Sequence, residues 1–272
     1  TSMETHSGLN MPGSTVGSIY SLTALGASHG YTCAVLDNNE MKCWGKAENG
    51  SLGNGDDSQN QYTPVGVNEL NSNTCCFSDI EETSPDGDHS CALSDGSVYC
   101  WGLDTAGQIG HGHLSCVGNG YCVNPHGPSV LNRNIVTFTT GLRHTCAIAD
   151  DSTAWCWGEN DFGQLGVGDN DDRNAPTQVL LPAGTTPISI NAGGHTTCVI
   201  LDNGTGLCWG KSDYGHLGDG TYNNRNEPTP ISILPSNRSL VAMDLGAGHA
   251  CGILDDGTAH CWGNGTFSSG ES

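Results

Sequence analysis

The sequence is poor in basic residues. Eight Lys and Arg stand against 29 Asp and Glu, a formal net charge of −21 over 272 residues. The eight (Lys42, Lys46, Lys211, Arg133, Arg143, Arg173, Arg225 and Arg238) are scattered along the chain. Binding to a phosphate backbone needs a clustered basic footprint, which argues against nucleic acid or an anionic membrane as partner. Long apolar runs are missing too, so no segment reads as membrane-inserting or as a signal peptide. The chain is therefore expected to be a mature secreted segment with its leader removed. Helical periodicity of useful length appears nowhere, which excludes a helical bundle. Gly-x-Ser-x-Gly, His-Glu-x-x-His, a phosphate loop and a dinucleotide fingerprint are all lacking. Acid pairs are plentiful, but nothing fixes two of them in one cleft as a glycosidase requires. The reading is a non-enzyme, with no catalytic residue and no cofactor.

What the sequence does have is glycine, cysteine and a repeat. Its 40 Gly suit short strands joined by tight turns, with Gly wherever φ must be positive. Cys-Trp-Gly recurs at Cys43, Cys100, Cys156, Cys208 and Cys261, and the Trp spacings are 57, 56, 52 and 53. A period in this range marks repeated supersecondary units. Before each repeat runs a β-branched, alternating stretch such as Asn134–Thr140 or Ser239–Leu245, which reads as a strand. Residues 16–24 fill that slot first, and residues 1–15 read as a polar arm. The repeat units fall near 16–63, 64–127, 128–175, 176–227 and 228–272.

Each unit carries two cysteines flanking a short acidic turn. Asp95-Gly96 is a two-residue turn that sets Cys91 opposite Cys100. The other loops (Asp37–Asn39, Asp150–Ser152, Asp202–Gly204 and Asp255–Gly257) are one residue longer, and a left-handed last residue restores the opposition. Directly opposed cysteines on neighbouring strands are within disulfide reach. The expected bonds are Cys33–Cys43, Cys91–Cys100, Cys146–Cys156, Cys198–Cys208 and Cys251–Cys261, each stabilising by about 2–3 kcal/mol. Cys75, Cys76, Cys116 and Cys122 allow three pairings, of which Cys116–Cys122 with a vicinal Cys75–Cys76 is locally easiest. This cysteine usage points to an oxidising, extracellular compartment.

After each Trp-Gly comes a turn: Gly50-Ser-Leu-Gly, Gly107-Gln-Ile-Gly, Gly163-Gln-Leu-Gly and Gly215-His-Leu-Gly. A loop then leads to Pro64, Pro128, Pro176 and Pro228, 20, 27, 19 and 19 residues beyond the Trp. The fifth unit breaks off at Phe267–Ser272, and its Pro-x-x-x-Val half stands at the other end as Pro12–Val16. Across that join the spacing would be 22. A ring closed by pairing its first and last strands would show this arrangement, with Val16–Ala24 beside the hairpin ending at Trp262.

These residues resemble the regulator-of-chromosome-condensation repeat, Gly-x-x-His-Thr-x-Ala-Leu…Trp-Gly-x-Asn-x-x-Gly-Gln-Leu-Gly, over nearly all of residues 16–270. The resemblance implies an all-β fold, a β-propeller with blades of four antiparallel strands. Five repeats, where the family usually has seven, imply five blades closed by the terminal half-repeats, or an arc completed by another chain. It also implies binding without catalysis. The expected function is an extracellular protein-binding scaffold that meets a protein partner through face loops or the terminal segment. The alternatives are a glycosylated subunit of an extracellular filament and a calcium-dependent glycan-binding lectin.

The remaining candidates weigh function against plain architecture. His29, His89, His144, His195 and His249 would offer a ring of imidazoles if equivalent, but repeated positions usually serve packing. The Cys-Trp-Gly tryptophans read as wedges between blades rather than sugar platforms. His111, His113, Cys116, Cys122 and His126 have zinc-type side chains at spacings that match no knuckle. The loops at Asn54–Asp57 and Asp169–Asp172 are dense in oxygen, and Asp169, Asp171 and Asp172 are the calcium candidates. Asn49, Asn203, Asn237 and Asn264 head glycosylation sequons, and Asn73 heads a weaker Asn-x-Cys variant.

Overall fold

The computed structural model describes residues 22–28, 30–68, 79–112, 121–127 and 133–265. These form five antiparallel sheets in chain order. The first is β1 (Leu22–Ala27), β2 (Tyr31–Leu36), β3 (Met41–Gly45) and β4 (Gln61–Gly66). The second is β5 (Ile80–Asp86), β6 (His89–Ser94), β7 (Ser97–Leu103) and β8 (Tyr121–His126). The third is β9 (Ile135–Thr140), β10 (His144–Ala149), β11 (Ala154–Gly158) and β12 (Arg173–Gln178). The fourth is β13 (Pro187–Gly193), β14 (Thr196–Leu201), β15 (Gly206–Gly210) and β16 (Arg225–Pro230). The fifth has three strands among the described residues: β17 (Leu240–Leu245), β18 (His249–Leu254) and β19 (Ala259–Gly263). Among those residues no helix is long and apolar enough to cross a membrane.

The residues divide into two compact units, one of residues 1–104 and 115–127 and one of residues 105–114 and 128–272. In the first, Cys33, Val35, Met41, Leu52, Val67, Ala92 and Trp101 are buried together. The second buries Cys146, Leu165, Val199, Leu207 and Trp209 in one cluster and Leu217, Leu240, Met243 and Trp262 in another.

The second and third strands of every sheet form the cysteine hairpin. Asp95 and Gly96 both have positive φ, +48° and +66°, as a two-residue turn matched to strand twist requires. In the longer loops the last residue alone is left-handed: Asn39 (+61°), Ser152 (+65°), Gly204 (+79°) and Gly257 (+84°). Both turns restore the register, so that Cys33 faces Cys43, Cys91 faces Cys100, Cys146 faces Cys156, Cys198 faces Cys208 and Cys251 faces Cys261.

The proline strands are the outer edges of the four-stranded sheets, hydrogen-bonded to the Trp-Gly strand before them. An edge tolerates the missing N–H. In the second sheet the edge proline is Pro125, inside β8, rather than Pro128: His126 pairs with Cys100 as Val65 pairs with Cys43. Counted from Trp101, the true spacing is therefore shorter than the sequence reading took it to be. The first strand starts later than residue 16 in the described part, with Leu22 and Ala24 paired to Leu36 and Val35. Residues 1–21 and 266–272, on which the expected closure rests, lie outside the described residues.

Candidate functional site

One repeated contact builds the architecture. The indole N–H of Trp101 donates to the carbonyl of Ser51 at 2.9 Å, that of Trp157 to Gln108 at 3.0 Å, that of Trp209 to Gln164 at 2.8 Å and that of Trp262 to His216 at 2.9 Å. The hydroxyls of Ser90, Thr145 and Thr197 donate to the same carbonyls at 3.2, 2.9 and 2.8 Å. Each tryptophan thus latches its repeat onto the Gly-x-Leu-Gly turn of the preceding one, as the wedge reading expects.

The histidines do not form an equivalent set. His89, His144 and His249 open the second strand opposite the Gly of Trp-Gly, but Tyr31 and Thr196 hold that place in the first and fourth repeats. His195 stands one residue earlier, and His29 lies outside the described residues. His89 and His144 are fully buried. The imidazole of His144 bonds Thr197 Oγ1 at 2.8 Å, and burial pushes His89 down to about 3. These are packing positions, and the described repeat histidines do not form a ring of equivalent imidazoles.

The zinc reading loses its thiolate, because Cys122 is buried and disulfide-bonded. Its partner, together with Cys75, Cys76, Cys116 and His113, lies outside the described residues, while His126 sits at the sheet edge. The acidic loop at Asp169 carries its own cation. Arg173 reaches the Asp169 carboxylate at 2.5 Å, and the backbone N–H of Asp171, then Arg173, hold Asp169 below the usual carboxylate range. Asp172 accepts the N–H of Asn160 at 2.8 Å and is pushed up, chiefly by burial. Asp219 and Arg225 repeat the arrangement at 2.7 Å in the next turn. In both turns an arginine from the following edge strand neutralises the acidic loop. Asn203, Asn237 and Asn264 are exposed, whereas Asn49 is half-buried with φ +58°, beside the buried Ser51.

The candidate site lies where the turns of the third and fourth repeats meet. Glu159, just after Trp157-Gly158, receives His195 Nδ1 at 2.7 Å, Gln164 Nε2 at 3.1 Å and Arg143 at 3.8 Å. The His195 hydrogen bond, against the cost of burial, holds Glu159 below its ordinary value, and the charges of His195 and Arg143 reinforce it. Phe162 meets the His195 ring edge-on at 5.0 Å, and Lys211 Nζ lies 4.8 Å over the Phe162 ring. Lys211 also pairs with Asp213 at 2.9 Å. Tyr214, at the place in the fourth repeat that Phe162 holds in the third, is 53% exposed. Aromatic rings with a flanking Arg on fixed turns match the composition of a protein-recognition patch. No pattern in the residues marks it, since His195 looks like a repeat histidine and Phe162 like a turn residue.

Comparison with known proteins fits this architecture. The model for the regulator of chromosome condensation (RCC1) repeat matches residues 95–148, 151–200 and 203–253, and a second RCC1 repeat model matches 135–164 and 240–268. The chain belongs to the RCC1 repeat family. It is 30% identical over 219 residues to the ultraviolet-B receptor UVR8 of Arabidopsis thaliana, covering 78% of this chain and 46% of that protein. It is 27% identical over 240 residues to the E3 ubiquitin-protein ligase HERC2 of Homo sapiens, covering 87% of this chain and 5% of that protein. The chain thus spans less than half the length of these relatives. Among solved structures, human WBSCR16 superposes with a TM-score of 0.76 at 20% identity, over 90% of this chain and 62% of that one. Prp20p of Saccharomyces cerevisiae gives 0.73 at 23%, over 90% and 58%. Both show the fold, an all-β propeller of RCC1 repeats.

Proposed function

We propose that this chain is a non-enzymatic, extracellular protein-binding module that meets its partner with the turns of its third and fourth repeats. The observation that carries the reading is the Arg143–Glu159–His195–Phe162–Lys211 cluster, with Tyr214 at the equivalent turn. Ion pairs inside the cluster fix the rings in place, which lowers the entropy lost on binding. Protein recognition is in keeping with the fold: Prp20p is described with Kap60, and its binding to Gsp1p and histones has been examined. An extracellular setting is supported by the five hairpin disulfides. The ectodomain of the Physcomitrella patens receptor kinase CR4 shares the fold at a TM-score of 0.53 and 23% identity.

The test places a photo-crosslinking residue at Tyr214 and exposes the protein to the extracellular fraction of its source. A partner should be captured, and Lys211→Glu with Phe162→Ser should abolish capture without changing the melting temperature. Equal capture from a probe at the Asp150–Ser152 hairpin tip would overturn the site. Recovery of the protein only from cytosol, with its cysteines reduced, would overturn the extracellular reading.

A second reading, a filament subunit, rests on one observation. Among the described residues β19 has a partner on one side only, and an unpaired strand edge is a template for another chain. Deleting residues 1–21 should then abolish any assembly seen by electron microscopy while leaving the repeats folded.

A further inference from the structure

The first strand of every sheet carries a β-bulge at the same place. Pairing with the second strand skips one residue each time: Thr23, Glu81, Val136, Ile188 and Val241. A bulge turns one side chain out of the alternation of its strand. In the last three repeats that side chain is aliphatic and faces outward. Val136 is 61% exposed, Ile188 57% and Val241 56%, while Phe138, Ile190 and Met243, two residues further on, are buried.

The bulge does not require an aliphatic residue, since Thr23 and Glu81 fill it in the first two sheets. Nor does the exposure come from a missing neighbour. β13, which carries Ile188, is packed on both sides: the N–H of Ala192 donates to Thr139 Oγ1 of β9 at 3.1 Å, and a Cβ on Gly193 would fall 2.7 Å from the carbonyl of Leu245 in β17. A hairpin tip stands beside each of the three bulges. The N–H groups of Asp150, Asp202 and Asp255 donate to the carbonyls of Asn134, Thr186 and Ser239 at 2.8, 2.8 and 2.9 Å, two residues before the exposed aliphatic. These tips hold five exposed carboxylates, of Asp150, Asp151, Asp202, Asp255 and Asp256. Arg133 pairs with Asp151, and Arg238 with Asp255 and Asp256. Asp150 and Asp202 have no cationic partner among the described residues.

We propose that Val136, Ile188 and Val241 form a docking surface for a cationic amphipathic segment of a partner protein. Apolar side chains of the segment cover the three aliphatics, and its Lys or Arg side chains meet Asp150 and Asp202. Covering exposed apolar surface supplies the attraction, and the carboxylates beside it select the sign of the partner. A second copy of this chain is not the occupant, because it would set the same acidic tips against these. The surface is separate from the one around Tyr214. In the third repeat Ile148 pairs with Ala154 at the tip end of the hairpin, while His144 pairs with Gly158, next to Glu159, at the other. A probe at the Asp150–Ser152 tip should therefore hold a different molecule from the one that Tyr214 holds.

The full chain and short synthetic peptides test this. A peptide alternating Leu with Lys should shift the methyl NMR signals of Val136, Ile188 and Val241 in a saturable way. Peptides alternating Leu with Glu, or Ser with Lys, should bind at least about tenfold more weakly, since each lacks one half of the match. Val136→Thr, Ile188→Thr and Val241→Thr together put the residue of the first repeat at each bulge and leave every charge in place. That variant should bind the Leu-Lys peptide at least about tenfold more weakly. Its melting temperature should not change, because each side chain is already more than half exposed. Asp150→Asn with Asp202→Asn should weaken binding and flatten its salt dependence. Equal affinity of the parent and the threonine variant, or of the Leu-Lys and Ser-Lys peptides, would show attraction to net charge alone and overturn the proposal. So would methyl signals that broaden with protein concentration, which would make a second copy the occupant.

Discussion

In the third repeat Asn160 and Gln164 are fully used. Asn160 accepts the N–H of Leu165 and donates to the carbonyl of Asp169, while Gln164 accepts the N–H of Phe162 and donates to Glu159. In the fourth repeat Ser212 and His216 hold the same two places. Ser212 is too short to reproduce the bonds of Asn160, and its buried Oγ has no partner among the described residues. Thr196 Oγ1 spends its proton on the carbonyl of Lys211, so His216 must donate to it from Nε2 at 2.9 Å. That leaves Nδ1 of His216 a buried acceptor with no donor among the described residues, and burial holds its pKa down. Yet Trp262 docks on His216 as Trp209 docks on Gln164. The latch reads a backbone carbonyl, which is why its side chain is free to change from repeat to repeat.

The largest expected effect comes from removing a covered tryptophan. Trp209→Ala should cost about 3–5 kcal/mol in urea denaturation, from lost burial and the cavity left behind. The same change at Trp44, which is only half-buried, should cost less than half of that, and equal losses would break the distinction between buried and half-buried repeat tryptophans. Next come the hairpin bonds. Replacing Cys198 and Cys208 by Ala should cost about 2–3 kcal/mol in the same assay, and an unchanged midpoint would show that the register holds without the clip.

Acid should act through His89. Its folded pKa of about 3 lies below the unfolded value, so the folded state binds fewer protons. The stability associated with neutral His89 is complete above about pH 6.5 and is lost progressively as pH falls toward 3, amounting to about 2 kcal/mol at pH 5. His89→Gln should flatten that slope between pH 7 and 5, and a slope identical to the parent would place the acid sensitivity elsewhere. The smallest effect sharpens the opening comparison. Asn160→Ser should cost about 1–2 kcal/mol, while Ser212→Asn should gain up to about 1 kcal/mol by pairing buried groups. Destabilisation by Ser212→Asn would mean the fourth turn lacks room for the carboxamide.

Much of this architecture was legible in the residues because it is local. A hairpin of known length fixes which residues face one another, so Asp95-Gly96 and the four longer loops specify the opposed cysteines. Proline marked the sheet edges for the same reason, except in the second repeat. There Pro125 and Pro128 lie three apart and only the pairing of His126 with Cys100 separates them. The histidines misled because a motif tolerates a one-residue slip that a strand does not: moving from Thr196 to His195 turns a fully buried position into a half-buried one.

By itself, then, the sequence determined the repeat, the strand hairpins and the cysteine pairs, since each follows from turn geometry within some ten residues. Only the tertiary structure decided which groups meet between repeats. Trp157 finds the carbonyl of Gln108, Glu159 finds His195, and Arg173 finds Asp169 in the oxygen-dense loop that reads as a calcium candidate. The first two pairs come together only when neighbouring sheets stack, and the third only when an edge strand brings its arginine back over the turn. Side-chain type alone carries no record of such meetings.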